Sequence, residues 1–103
     1  MDNKFVKPTS PFERIKKIND YGSEYWSARD LMKILEYVEY RNFLPVIRKA
    51  AQACENSGQE KDDHFVQFND MVDIGSNTKR IIEDYHLSRY ACYLIVQNAA
   101  QGS

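Results

Sequence analysis

Several things are scarce in this chain, and each scarcity excludes something. Only 2 cysteines occur in 103 residues. Cys54 and Cys92 lie far apart and outside any C-x-x-C pattern, so there is no basis for a disulfide scaffold or a cysteine metal cluster. Both fall on expected helices, as reduced core thiols of a cytoplasmic protein do. No run of 18 apolar residues exists that could cross a membrane as a helix. The first residues, MDNKFVKPTS, lack the apolar segment of a signal peptide. An excess of one charge is missing as well. The 14 basic and 15 acidic residues leave a net charge of −1, so any nucleic-acid surface must be a local patch. GxSxG, Walker and GxGxxG patterns are absent, and nothing calls for a cofactor or an enzyme. What is present is 43% hydrophobic and 13% aromatic residues, the composition of a folded domain. A chain of this length forms one domain and buries roughly two-thirds of its unfolded surface.

The most legible stretch runs from Glu24 to Gly58. Tyr25 and Trp26 favour a strand over Glu24 to Ser27. The Ser27 hydroxyl can then cap a helix, with Asp30 three residues on placing a carboxylate near the positive helix end. Leu31, Ile34, Leu35 and Val38 follow at i, i+3, i+4 and i+7, which makes one apolar face. A second helix is expected from about Asn42, with Asn42 as cap and Pro45 in the first turn. Phe43, Val46, Ile47, Ala50 and Cys54 share its inner face, and Asn56-Ser57-Gly58 supplies the stop.

The flanks are less regular. Residues 1–10 read as a loose lead-in containing Pro8. Phe12 to Asn19 fits either a strand joined to Glu24–Ser27 through the Asp20-Tyr21-Gly22-Ser23 turn, which is the favoured reading, or a short helix capped by Ser10 with Pro11 in its first turn. Gln59 to Asp63 reads as a polar loop. Strands near Met71–Ile74 and over Lys79–His86 make a second hairpin through Gly75-Ser76-Asn77. Ser88 caps a last helix whose stripe of Leu87, Tyr90, Ala91, Leu94 and Ile95 ends at Asn98. Residues 99–103 read as the tail of a longer chain. The expected fold class is therefore α+β: two short β-hairpins packed against about three α-helices.

Among side chains that could carry chemistry, the basic ones stand out. Arg29 and Lys33 on the first helix, Arg41, Arg48 and Lys49 on the second, and Lys79 and Arg80 at the hairpin end could neutralise phosphates. The bland alternative is a solvated surface balanced by Asp30, Glu36 and Glu39. The helix pair resembles a helix-turn-helix in outline, but its connection, residues 37–41, lacks the usual glycine. Tyr25, Trp26, Tyr37, Tyr40, Tyr90 and Tyr93 could stack on bases, although most such residues belong to cores. Gly75-Ser76-Asn77-Thr78 before two cations could hold a phosphate, or it could be a plain turn. Asp62-Asp63-His64 and the isolated His86 lack metal-ligand spacing.

Longer blocks carry a resemblance. WSARDL at 26–31, EYRNFLPVI at 39–47, ACENSG at 53–58, DHF at 63–65 and LSRYACYLIVQN at 87–98 resemble the N-terminal region of the bacterial DNA-damage-inducible protein D family. The pattern W-x-A-R-D-L is also similar to the wider BRO N-terminal domain of phage antirepressors. The resemblance covers residues 11–98. It implies a non-catalytic regulatory module of a damage (SOS) response protein, with DNA or a recombinase filament on single-stranded DNA as partner. The family continues after LSRYACYLIVQN with a further region, whereas this chain turns to Ala99-Ala100-Gln101. Readings without nucleic-acid contact, as a protein-interaction module or a homo-oligomer, remain open beside it.

Overall fold

The computed structural model describes residues 10–101. The element order is α1 (Pro11–Arg14), β1 (Lys17–Ile18), β2 (Glu24–Ser27), α2 (Ala28–Ile34), α3 (Tyr40–Asn56), α4 (Lys61–His64), β3 (Phe65–Gly75), β4 (Thr78–Leu87) and α5 (Arg89–Gln101). The four strands form one antiparallel sheet in the order β1-β2-β4-β3. The α+β expectation holds. The two hairpins are joined by β2 pairing with β4 at Trp26↔Leu87 and Ser27↔His86.

One face of the sheet carries the core. Trp26, Phe65 and Leu87 bury against Leu31 of α2, Phe43 and Ile47 of α3, and Ala91 and Ile95 of α5. Both thiols, Cys54 and Cys92, are free and lie in this core. Phe12 of α1 stacks on Trp26 with ring centres 4.5 Å apart, and the indole N–H donates to the Phe12 carbonyl at 2.9 Å. Arg89, at the start of α5, clamps the same corner. It donates to both Glu24 oxygens at 2.9 and 3.0 Å and to Glu13 at 3.1 Å. A planar guanidinium paired twice to one carboxylate fixes orientation as well as charge.

The Ser27 and Ser88 caps form as expected, accepting from Asp30 N at 3.4 Å and Ala91 N at 3.0 Å. Gly58 closes α3 in the left-handed region, with Gln59 N donating to Cys54 O and Gly58 N to Glu55 O. That is the two-bond closure typical of helix ends. The end of α2 repeats it with Glu36 in the glycine position at φ 66°, where Tyr37 N donates to Met32 O. This early stop is why Val38 is 90% exposed, not the fourth member of the α2 stripe.

Other boundaries also moved. α3 begins at Tyr40 after Glu39, whose side chain makes no capping bond, so Asn42 is inside the helix and Pro45 is in its second turn. Residues 12–19 take up both readings in succession: a turn of helix capped by Ser10, then β1 paired with β2. The loop expected over 59–63 closes into α4. β3 is far longer than Met71–Ile74 because the whole segment from Phe65 pairs with β4. α5 runs through Ala99 and Ala100. The lead-in at 1–9 and residues 102–103 lie outside the described residues.

Candidate nucleic-acid interface

Helix α3 buries Phe43, Ile47, Ala50 and Cys54 and turns the opposite side to solvent. Its apolar residues recur every three or four positions, and the residues between them share the outer face. That face carries Arg41, Arg48 and Lys49 with the amides of Asn42, Gln52 and Asn56, all exposed. The one acid on it, Glu55, is paired with Lys61 at 3.8 Å, and Arg41 is drawn to Glu39 at 2.7 Å. Eight residues of helix set these cations within about 12 Å along the axis. Guanidinium, ammonium and amide groups in a row can meet phosphates and base edges.

The remaining expected cations are placed apart from this face. Arg29 is half-buried and committed to the fold. Its Nε donates to the Glu83 carbonyl at 2.7 Å, and its guanidinium lies 3.9 Å from the centre of the Tyr40 ring. It therefore ties α2 to β4 and α3. Lys33 is exposed in the last turn of α2. Lys79 and Arg80 do not act together, because successive strand residues point to opposite faces. Lys79 lies opposite Asp73 and pairs with it at 2.8 Å, on the side of Tyr85. Arg80 lies opposite Val72, on the side of His86. Residues 69–83 of the hairpin also hold Asp70, Asp73 and Glu83, which outnumber its two cations. Among the described residues, Lys33, Arg48, Lys49 and Arg80 have no acidic partner within 4.0 Å.

Two features were not legible beforehand. The first is Asp84, buried at 5% exposure. It accepts from the Ser27 hydroxyl at 2.6 Å, from Arg29 N at 3.1 Å and from Tyr85 N at 2.7 Å. A carboxylate at the positive end of α2 is favoured by the helix dipole. It joins strand to helix from a residue 57 positions away from Ser27. The second is an aromatic row on the sheet face opposite α3 and α5. Tyr25 and His86 have ring centres 4.1 Å apart, His86 and Phe68 3.7 Å. Lys17, opposite Tyr25 in β1, extends the row. An open cavity of about 420 Å³ is lined by Lys17, Tyr25, Arg29, Phe68, Asp70 and His86, among others. Both features depend on register, and no local sequence signal reports it.

The other aromatics divide. Trp26 is fully buried, Tyr37 packs on Phe43 at 5.0 Å, and Tyr90 bonds Ser57 Oγ at 2.9 Å, while Tyr93 is 68% exposed. The His64 ring is within 2.7 Å of the capping hydroxyl of Ser88. Among the described residues no group of three His, Cys, Asp or Glu side chains is placed to hold a metal ion, and no helix is long and apolar enough to cross a membrane. Ser76 and Asn77 take left-handed conformations, as a tight two-residue hairpin turn requires.

The sequence profile of the BRO family, N-terminal domain, matches residues 14–101. The DNA damage-inducible protein D of Escherichia coli (strain K12) is 62% identical over 88 residues, which are 85% of this chain and 32% of that protein. The chain thus spans about a third of that relative's length. No solved structure matches it.

Proposed function

The chain belongs to the BRO family, as its N-terminal domain, and on that footing we propose that it is a non-catalytic regulatory module of a DNA-damage (SOS) response protein. It binds DNA, or a recombinase filament assembled on DNA, through the outer face of α3. The observation that supports this reading is the grouping of Arg41, Arg48 and Lys49 with three amides on one helix face. The name of the 62%-identical relative supports the damage-response context. Arg29 and the hairpin end contribute less, since Arg29 is held by Glu83 and Tyr40, and Lys79 by Asp73.

Fluorescence anisotropy against single- and double-stranded DNA tests this. Three phosphates neutralised on a duplex give a log–log salt slope of roughly −2.7, so raising salt fourfold weakens binding about 40-fold. Replacing Arg48 and Lys49 together by Glu should lower affinity by more than about tenfold and flatten that slope by about 2. Unchanged affinity would remove α3 as the contact.

A second reading is a protein-interaction module without nucleic-acid contact. It is favoured by the net charge of −1 and by the acids beside Lys79 and Arg80. Absence of DNA binding at low salt, together with capture by recombinase filaments, would select it.

A further inference from the structure

Neutralising phosphates would use only the cations of α3. The amides on the same face call for a further role. At about 100° per residue, Arg41, Pro45, Arg48, Lys49, Gln52 and Asn56 fall within an arc of about 100°, opposite the buried Phe43, Ile47, Ala50 and Cys54. All six are exposed. The arc holds three cations, two amides and no carboxylate, in a chain whose 15 acids outnumber its 14 bases. Glu55 stands at the margin and is paired with Lys61 at 3.8 Å. Beside the arc an open hollow of about 380 Å³ separates α3 from the strands, with Arg48 and Gln52 on one wall and Gln67 and Tyr85 on the other. The outer half of α3 therefore stands clear of the sheet. A helix of about 10–12 Å diameter, free on that side, fits the major groove of a duplex, which is about 12 Å wide.

Gln52 is held in one arrangement. Its Nε2 donates to Oδ1 of Asn56, one turn on, at 3.1 Å. That bond uses one of the two amide hydrogens. The other hydrogen and Oε1 remain, and they are the donor and acceptor that N7 and the N6 amine of adenine require. The tether to Asn56 already removes part of the rotamer freedom that an exposed glutamine loses on binding. Arg48, one turn before Gln52, has no acidic partner within 4.0 Å among the described residues. Its planar fork of donors is free to meet O6 and N7 of guanine. Four residues of helix set Arg48 and Gln52 about 6 Å apart along the axis, which is one or two base-pair steps of about 3.4 Å.

We propose that α3 reads duplex DNA in the major groove, with Gln52 recognising adenine, Arg48 recognising guanine, and Asn56 positioning Gln52; this rests on the nucleic-acid reading of the same face. Selecting this chain on a random-sequence duplex library, then sequencing the bound fraction, should enrich a guanine and an adenine one or two base pairs apart. On the enriched duplex Gln52→Ala should lower affinity roughly 5- to 140-fold and abolish discrimination at the adenine. The salt slope should stay, since no cation is lost. Arg48→Lys keeps the charge but loses the fork, and should relax the guanine position with the same slope. Asn56→Ala should weaken the adenine preference several-fold, less than Gln52→Ala. All three positions are exposed, so the thermal melts should match that of the parent. Duplex binding with no enriched motif, still lost when Arg48 and Lys49 become Glu, would overturn the proposal and leave α3 as a phosphate-binding face. A motif indifferent to both Gln52→Ala and Arg48→Lys would overturn it by placing the readout elsewhere, and binding to single strands alone would overturn it as well. Absence of all DNA binding at low salt would remove the nucleic-acid reading along with it.

Discussion

Replacing Asp84 is the sharpest test of how this domain is held together. Its carboxylate meets the Ser27 hydroxyl at 2.6 Å and Arg29 N at 3.1 Å, at 5% exposure. In Asp84→Ala the Ser27 O–H and the Arg29 N–H both lose a charged acceptor. A hydrogen bond to a charged group contributes about 1.5–3 kcal/mol, and a buried donor left without a partner costs about 1–3. Favourable placement at the α2 N-terminus adds about 0.3–1. The expected loss is roughly 3–5 kcal/mol, a large part of the 5–15 that a domain of this kind possesses. Asp84→Asn keeps the shape and one acceptor oxygen, so about 1–2 kcal/mol should be lost. Ser27→Ala removes the α2 cap and one of the donors and should cost a similar ~1–2. Urea titration followed by far-ultraviolet circular dichroism and by Trp26 fluorescence measures all three, with coincident curves checking two-state behaviour. Should Asp84→Ala fail to fold, the milder pair still ranks the effect. Asp84→Ala within about 0.5 kcal/mol of the parent, the scatter of ordinary surface changes, or an Asn variant as damaging as Ala, would refute the strand-to-helix latch.

Three further outcomes follow from the structure. Gly58→Ala should cost about 1–2 kcal/mol, since only the left-handed φ of +89° opposes the new methyl and no atom lies within 4 Å of it; a melting temperature lower by at least about 4 °C is the readout. Burial pushes the Cys92 thiol up to about 12, so the native protein should leave Ellman's reagent unreacted at pH 8, while denaturant should release two thiols per chain; rapid native labelling would contradict the packing of α5. Burial also holds the His86 imidazole below its ordinary value near 6.5. The folded state then binds this proton less tightly than the unfolded one, so stability is full above pH 6.5 and falls as pH drops from there toward the lower folded value. Removing the ring as His86→Gln should flatten that part of the pH–stability curve, and an unchanged slope would discount His86 as its source.

The elements that could be read from sequence alone are those whose signals are local. Ser27, Ser88 and Gly58 act within one helical turn, so their caps and stops were plain. The strand Glu24–Ser27 and the inner face of α3 follow from residue type and period. Where local signals competed, tertiary pairing decided. Glu36 accepted a left-handed turn that its side chain disfavours, which ended α2 early and exposed Val38. Phe65–Ile74 shows no clean alternation, yet all of it became strand because β4 supplies hydrogen-bond partners along its length. The same division applies to function. The basic residues of α3 share a face through helical period, which a sequence displays. That Lys79 and Arg80 point apart, that Arg29 is consumed by Glu83 and Tyr40, that Tyr25, His86 and Phe68 align across strands, and that Asp84 reaches Ser27 are matters of register and packing. Composition and spacing thus set which residue types and helix faces exist. Only the folded chain, by bringing distant residues within hydrogen-bonding reach, determines which of them are left over for a partner.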